Sequence, residues 1–207
     1  MWLTDDQRFI LRLREPSVGD RRLLRYLRTS LPASTHFSEM TARDYAHNFV
    51  TAYDHACHRM HYPVLPSVVR QVAAAEQANE WMNCLALPGE PLASQDLEGV
   101  FYALHFYTFC NEVILSGCDL DAAALGVLVE ELCLNPEVKA IDISANTFDV
   151  NVTTAALLAD IVRRPTGVEC LSLAGNRLRD AGVAPLLDAL STPNTSSIVE
   201  LNLSGCQ

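Results

Sequence analysis

The chain has 207 residues, 49% of them hydrophobic, and a formal net charge of −10, so it is long enough to bury a sizeable core. No run of 18 or more apolar residues occurs to cross a membrane, and Met1–Ile10 carries Asp5 and Asp6 where a secretory signal would be apolar. Seven cysteines, an odd number without framework spacing, read as free thiols in a reducing compartment, and the protein is expected to be cytoplasmic.

In chain order, apolar spacing and Ser/Thr/Asp starts predict short helices over Thr4–Arg14, Val18–Ser30, Thr41–His61 and Ser67–Trp81, separated by Pro16, Pro32, Pro63 and Pro66. Residues 1–81 are therefore expected to form an all-helical N-terminal or capping region. Residues 1–62 hold nine Arg against seven acidic residues (+2), and residues 63–207 hold six Lys/Arg against 18 (−12), which sum to −10. Arg21, Arg22, Arg25 and Arg28 make a basic helix face suited to phosphates or an acidic protein. With no aromatic platform interleaved for stacking single-stranded bases and no recognised nucleic-acid motif, nucleic acid is not the expected partner. The segment Asp54, His55, Cys57, His58, His61 puts Asp54, His58 and His61 on one helix face. It lacks a CxxC or HExxH spacing and a fourth ligand, so it reads as a polar surface with Cys57 turned inward, and no metal is expected.

From Leu85 the chain acquires a beat. VILSGCDL (from Val113), IDISANTF (Ile141), LSLAGNRL (Leu171) and LNLSGCQ (Leu201) place Cys118, Asn146, Asn176 and Cys206 at spacings of 28, 30 and 30. Each phrase alternates buried and outward positions as a short strand does, and each complete one is followed by a helical pattern such as Leu125/Leu128/Val129/Leu132. The residue closing each phrase must hydrogen-bond a turning backbone from a buried position, which Asn does with its amide and Cys with its thiol. A period of 28 to 30 marks a stack of repeated units. The units run slightly long near Asp149–Val152 and Ser191–Ser197.

These phrases resemble the leucine-rich repeat LxLxx(N/C)xL, in the ribonuclease-inhibitor-like subclass. The resemblance implies an α/β solenoid, with parallel strands on the concave face and helices on the convex face, over residues 82–207. LALPGEPL (Leu85–Leu92) falls in phase 28 residues upstream, with Glu90 at the position of Cys118, so Met82–Phe109 reads as a degenerate first unit. The phrase at Leu201 breaks off at Gln207, and either a longer native chain or a partner over the open end is expected.

The chemistry of reaction is not evident. No GxxxxGK[ST], GxGxxG or GxSxG is present. Gly117, Gly175 and Gly205 belong to the repeat turns, and SGC at Ser116–Cys118 and Ser204–Cys206 is a repeat echo. No enzymatic activity, cofactor or small-molecule substrate is therefore expected. The sequons at Asn151, Asn194 and Asn202 read as coincidental in a chain without a signal. The aromatic cluster Phe101, Tyr102, Phe106, Tyr107 and Phe109 is expected to serve the core and the N-terminal helices.

By the resemblance, partners meet the outward strand positions: Glu112, Ile114 and Ser116; Ala140, Asp142 and Ser144; Cys170, Ser172 and Ala174; Glu200, Asn202 and Ser204. They are small and mildly acidic and lack the Trp, Tyr and Arg favoured in hot spots. The family's habits imply a protein-binding scaffold, a subunit of a multi-component intracellular assembly, with cytoskeletal, ciliary or flagellar settings among them. A regulator of a small GTPase is the alternative they imply.

Overall fold

The structure is a computed structural model that describes residues 2–3, 9–10, 42–146, 151–164, 167–191 and 197–206. Met1–Ser38 and Glu39–Gln207 are separate compact units. In the first, β1 (Trp2–Leu3) and β2 (Phe9–Ile10) pair antiparallel, with Trp2 opposite Ile10 and Leu3 opposite Phe9. This corrects the helix expected over Thr4–Arg14, and with it the reading of residues 1–81 as wholly helical. Trp, Phe and Ile are residue types enriched in strands, so this stretch has no strong preference for a helix. The helix expected over Val18–Ser30 lies outside the described residues.

The second unit opens with two helices close to those expected. In α1 (Ala42–Met60), Ala46, Phe49, Tyr53, Ala56 and Cys57 are buried along one face. The helix stops where His61 turns left-handed (φ 59°) and Pro63 bars continuation. α2 (Pro66–Ala78) starts on proline, whose missing N–H costs nothing at a helix start, buries Val68 and Val72, and ends at left-handed Asn79 (φ 52°).

Five parallel strands follow, in sheet order equal to chain order: β3 (Cys84–Ala86), β4 (Glu112–Ile114), β5 (Ala140–Asp142), β6 (Cys170–Ser172) and β7 (Glu200–Asn202). The intervening helices are α3 (Ser94–Leu104), α4 (Ala122–Leu134), α5 (Val152–Arg163) and α6 (Arg179–Ser191). Parallel neighbours joined through a helix in the usual right-handed sense put every helix on one face of the sheet. The register is unbroken: Leu85, Val113, Ile141, Leu171 and Leu201 lie opposite one another. The first four are at most 2% exposed and point into the core with Leu87, Leu115, Ile143 and Leu173. Met82–Phe109 thus supplies a strand and helix in phase with the later units.

Local chemistry starts the helices on time. The Asp121 carboxylate accepts the Ala124 N–H at 2.7 Å to cap α4, and the Asn151 Oδ1 accepts the Thr153 and Thr154 N–H groups at 2.9 and 3.0 Å to cap α5. At α3 the Asp96 carboxylate accepts the Ala93 N–H at 2.8 Å.

Between strand and helix, buried side chains lock each unit to the one before it. Asn146 Nδ2 donates to the Leu115 carbonyl at 2.8 Å, and its Oδ1 accepts the Cys118 N–H at 2.8 Å. Asn176 repeats this on the Ile143 carbonyl (2.9 Å) and the Asn146 N–H (2.7 Å). The thiols of Cys118 and Cys206 make the donor half alone, to the carbonyls of Leu87 (2.9 Å) and Leu173 (3.1 Å). Facing a thiol that offers no oxygen, the Glu90 and Asn176 N–H groups turn to their own Leu87 and Leu173 carbonyls at 3.4 and 3.3 Å.

Candidate interaction surface

The sheet face away from the helices carries the outward strand positions. Strand register aligns them in rows, Cys84–Glu112–Ala140–Cys170–Glu200 and Ala86–Ile114–Asp142–Ser172–Asn202. Glu112, Glu200 and Asn202 are exposed, and Ile114, Ala140, Asp142, Cys170 and Ser172 are half-buried. Ser116, Ser144 and Ala174 continue the face half-buried at the following turn, and Ser204 continues it exposed. The predicted positions therefore do lie together, on one surface of small side chains with a mildly acidic cast.

Two of them are already engaged. Asp142 Oδ1 accepts the Ser144 N–H at 2.9 Å, and Asn202 Oδ1 accepts the Ser204 N–H at 3.0 Å. These side chains shape the turn after the strand, as Asp and Asn do through local backbone bonds. At the strand entries Lys139 pairs with Glu169 at 3.1 Å, each side chain 48% exposed. A pair so open to water contributes little to stability, but it offers charges of both signs at the rim.

Burial holds four of the thiols in the neutral form. Burial, with Glu112 next, pushes the Cys84 thiol up to about 11. Burial, with Cys84 next, pushes Cys110 up to about 12. Cys57 and Cys118 are raised for the same first reason. A thiol held neutral well above physiological pH is a poor attacking group and a poor metal ligand. No disulfide forms among the described cysteines.

The remaining sequence candidates disperse. Cys118, Asn146, Asn176 and Cys206 are the interior locks described above. Asp54 and His58 approach to 3.8 Å on an open face, while Cys57 is buried on the other side of α1. Among the described residues no group of three or more His, Cys, Asp and Glu converges to hold a metal. Arg21, Arg22, Arg25 and Arg28 lie outside the described residues. Gly117, Gly175 and Gly205 sit at φ 66°, 69° and 71°, stacked with Gly89 at 70°. Ala145 holds the same place at 54° in its unit. Tyr107 serves the core: it is 1% exposed, meets Phe49 of α1 edge-on at 6.1 Å, and its Oη accepts the Met82 N–H at 2.6 Å. Tyr102 and Phe106 meet each other edge-on at 5.5 Å.

Sequence reasoning missed Gln71 and Ser67, by which α2 grips the edge of β3 and the turn beyond it. A lone polar residue on an amphipathic helix carries no periodic signal. No helix among the described residues is long and apolar enough to cross a membrane. The chain matches no protein-family model, and no curated protein resembles it at a significant level.

Proposed function

We propose that this chain is a leucine-rich repeat solenoid of the ribonuclease-inhibitor-like kind and serves as a non-enzymatic protein-binding scaffold. In this reading it is one subunit of an intracellular assembly, and the strand face is the concave binding surface. The observation that carries the reading is the repeated lock at Cys118, Asn146, Asn176 and Cys206, with donors directed at the preceding unit at 2.8–3.1 Å. That interior serves to hold successive strands in fixed order. The outward residues it positions include no nucleophile paired with a base, and burial holds the nearby Cys84 and Cys118 thiols neutral. Small side chains at Ser116, Ser144, Ser172 and Ala174 let a partner's backbone approach closely. The exposed Glu112 and Glu200 with half-buried Asp142 favour a partner segment of positive charge.

The test is comparative affinity capture from a cell extract. Wild type is set against a strand-face variant (Ser144→Arg with Ser172→Arg) and a helix-side variant (Val152→Arg, a residue 88% exposed). Proteins recovered by wild type and the helix-side variant, and lost from the strand-face variant, are the expected outcome. An identical set recovered by all three would show that this face is not the binding surface.

A further inference from the structure

An outer strand of a sheet presents N–H and C=O groups that invite another strand. On β3 both such groups of Ala86 are taken. The Ala86 N–H donates to Gln71 Oε1 at 2.9 Å, and Gln71 Nε2 donates to the Ala86 carbonyl at 2.6 Å. The inner strands show what ordinarily stands there. Ile114, the register partner of Ala86 in β4, receives the Leu87 N–H of the preceding strand on its carbonyl at 2.8 Å. Asp142 and Ser172 receive the Leu115 and Ile143 N–H groups in the same way, at 2.7 and 3.0 Å. A carboxamide carries one acceptor and a donor in the geometry of a peptide group. One side chain thus supplies both bonds that a preceding strand would make.

Gln71 is held for this task. Its Nε2 also donates to the Ser67 carbonyl one turn back at 3.2 Å, and Val68 and Val72 on either side are 0% exposed. A second substitution lies in the following turn. Glu90 occupies the lock position, where Cys or Asn in later units donates backwards. A carboxylate cannot donate; it accepts instead from the Ser67 hydroxyl of α2.

We propose that α2 is a surrogate for a strand and that Gln71 is its plug. The carboxamide replaces the peptide group of a preceding strand and closes the β3 edge to strand addition, including by the L-x-L strands of a second copy of this chain.

Residue-resolved amide exchange on the full chain tests this, with Gln71→Ala and the near-isosteric Gln71→Met, which keeps the side-chain length and apolar stem but removes both bonds. The Ala86 amide should exchange at least about tenfold faster in both variants, while the Leu173 amide, bonded to the Asn202 carbonyl at the far side of the sheet, keeps its wild-type rate. Wild-type protection of Ala86 in Gln71→Met would overturn the proposal. So would acceleration of Ala86 and Leu173 in parallel, because Gln71 would then be a general stabilising residue and not a local plug.

Discussion

Replacing Asn146 by alanine should be among the most damaging single substitutions in this protein. Its side chain is 1% exposed and fills four roles. Nδ2 donates to the carbonyls of Leu115 (2.8 Å) and Ser144 (3.1 Å), and Oδ1 accepts the N–H groups of Cys118 (2.8 Å) and Leu120 (3.3 Å). Truncation strands the Cys118 N–H and the Leu115 carbonyl inside the protein, at about 1–3 kcal/mol for each buried group left without a partner. The longer contacts and a small void add to this, for an expected loss of about 3–5 kcal/mol, near the upper end for point substitutions. Asn146→Cys separates the two halves of the bond. A thiol can still donate to Leu115, as Cys118 does to Leu87. The Cys118 N–H can then turn to the carbonyl three residues back, as the Glu90 and Asn176 N–H groups do in the native chain opposite cysteines. The cysteine variant should therefore lose only about 1–2 kcal/mol. Urea unfolding followed by far-ultraviolet circular dichroism gives both values. Equal losses for Ala and Cys, or an alanine variant within about 0.5 kcal/mol of wild type, would refute the lock as described.

Other expectations follow from burial and close approach. Leu173→Ala should cost about 2–5 kcal/mol because Leu173 is 0% exposed, whereas Leu203→Ala at the equivalent, half-buried position of the last unit should cost clearly less; paired urea titrations compare them. At Gly99 in α3 a Cβ would overlap the Tyr62 hydroxyl and lie 3.2 Å from two ring carbons, so Gly99→Ala should destabilise by about 1–3 kcal/mol. Adding Tyr62→Phe should restore part of that loss in a double-mutant cycle; strict additivity of the two changes would sink this account. The half-buried Cys84 thiol and the buried Cys110 thiol have folded values above the ordinary 9.0, up to about 11 and about 12. Their contribution is thus complete below about pH 9 and is lost as pH rises through those values, so the urea midpoint should stay level from neutral pH to about 9 and fall beyond it. Alkylation of the two at pH 8 should be slow in the folded chain and rapid in urea, which mass spectrometry can follow.

The repeated strands and the interior side chains at their ends were legible because they recur: a buried-outward alternation ending in Asn or Cys, returning after 28 or 30 residues, has few competing explanations. Even the divergent first unit was readable by phase, although Glu90 departs from the pattern. What was not legible depends on contacts made once. Gln71 meets Ala86 across 15 residues of chain and sits on a helix whose pattern explains only Val68 and Val72. Asp142 reads in the sequence as an outward residue for a partner, yet its carboxylate sets the turn at Ser144. The pairing of Trp2–Leu3 with Phe9–Ile10 was missed because apolar residues in so short a segment fit a helical turn as readily as an extended pair. Alternation sets the outward strand positions on one face, but side chains this small do not name their partner.

The interior locks all point the same way: the side chain of each unit finishes the turn of the unit before it. The Leu115 carbonyl and the Cys118 N–H await the Asn146 side chain, 31 and 28 residues further on. Emerging from a ribosome, a unit would leave the exit with its turn still open and be completed only when its successor arrived. Folding during synthesis should therefore trail translation by one unit, and a pause between two units would hold the earlier one half-made.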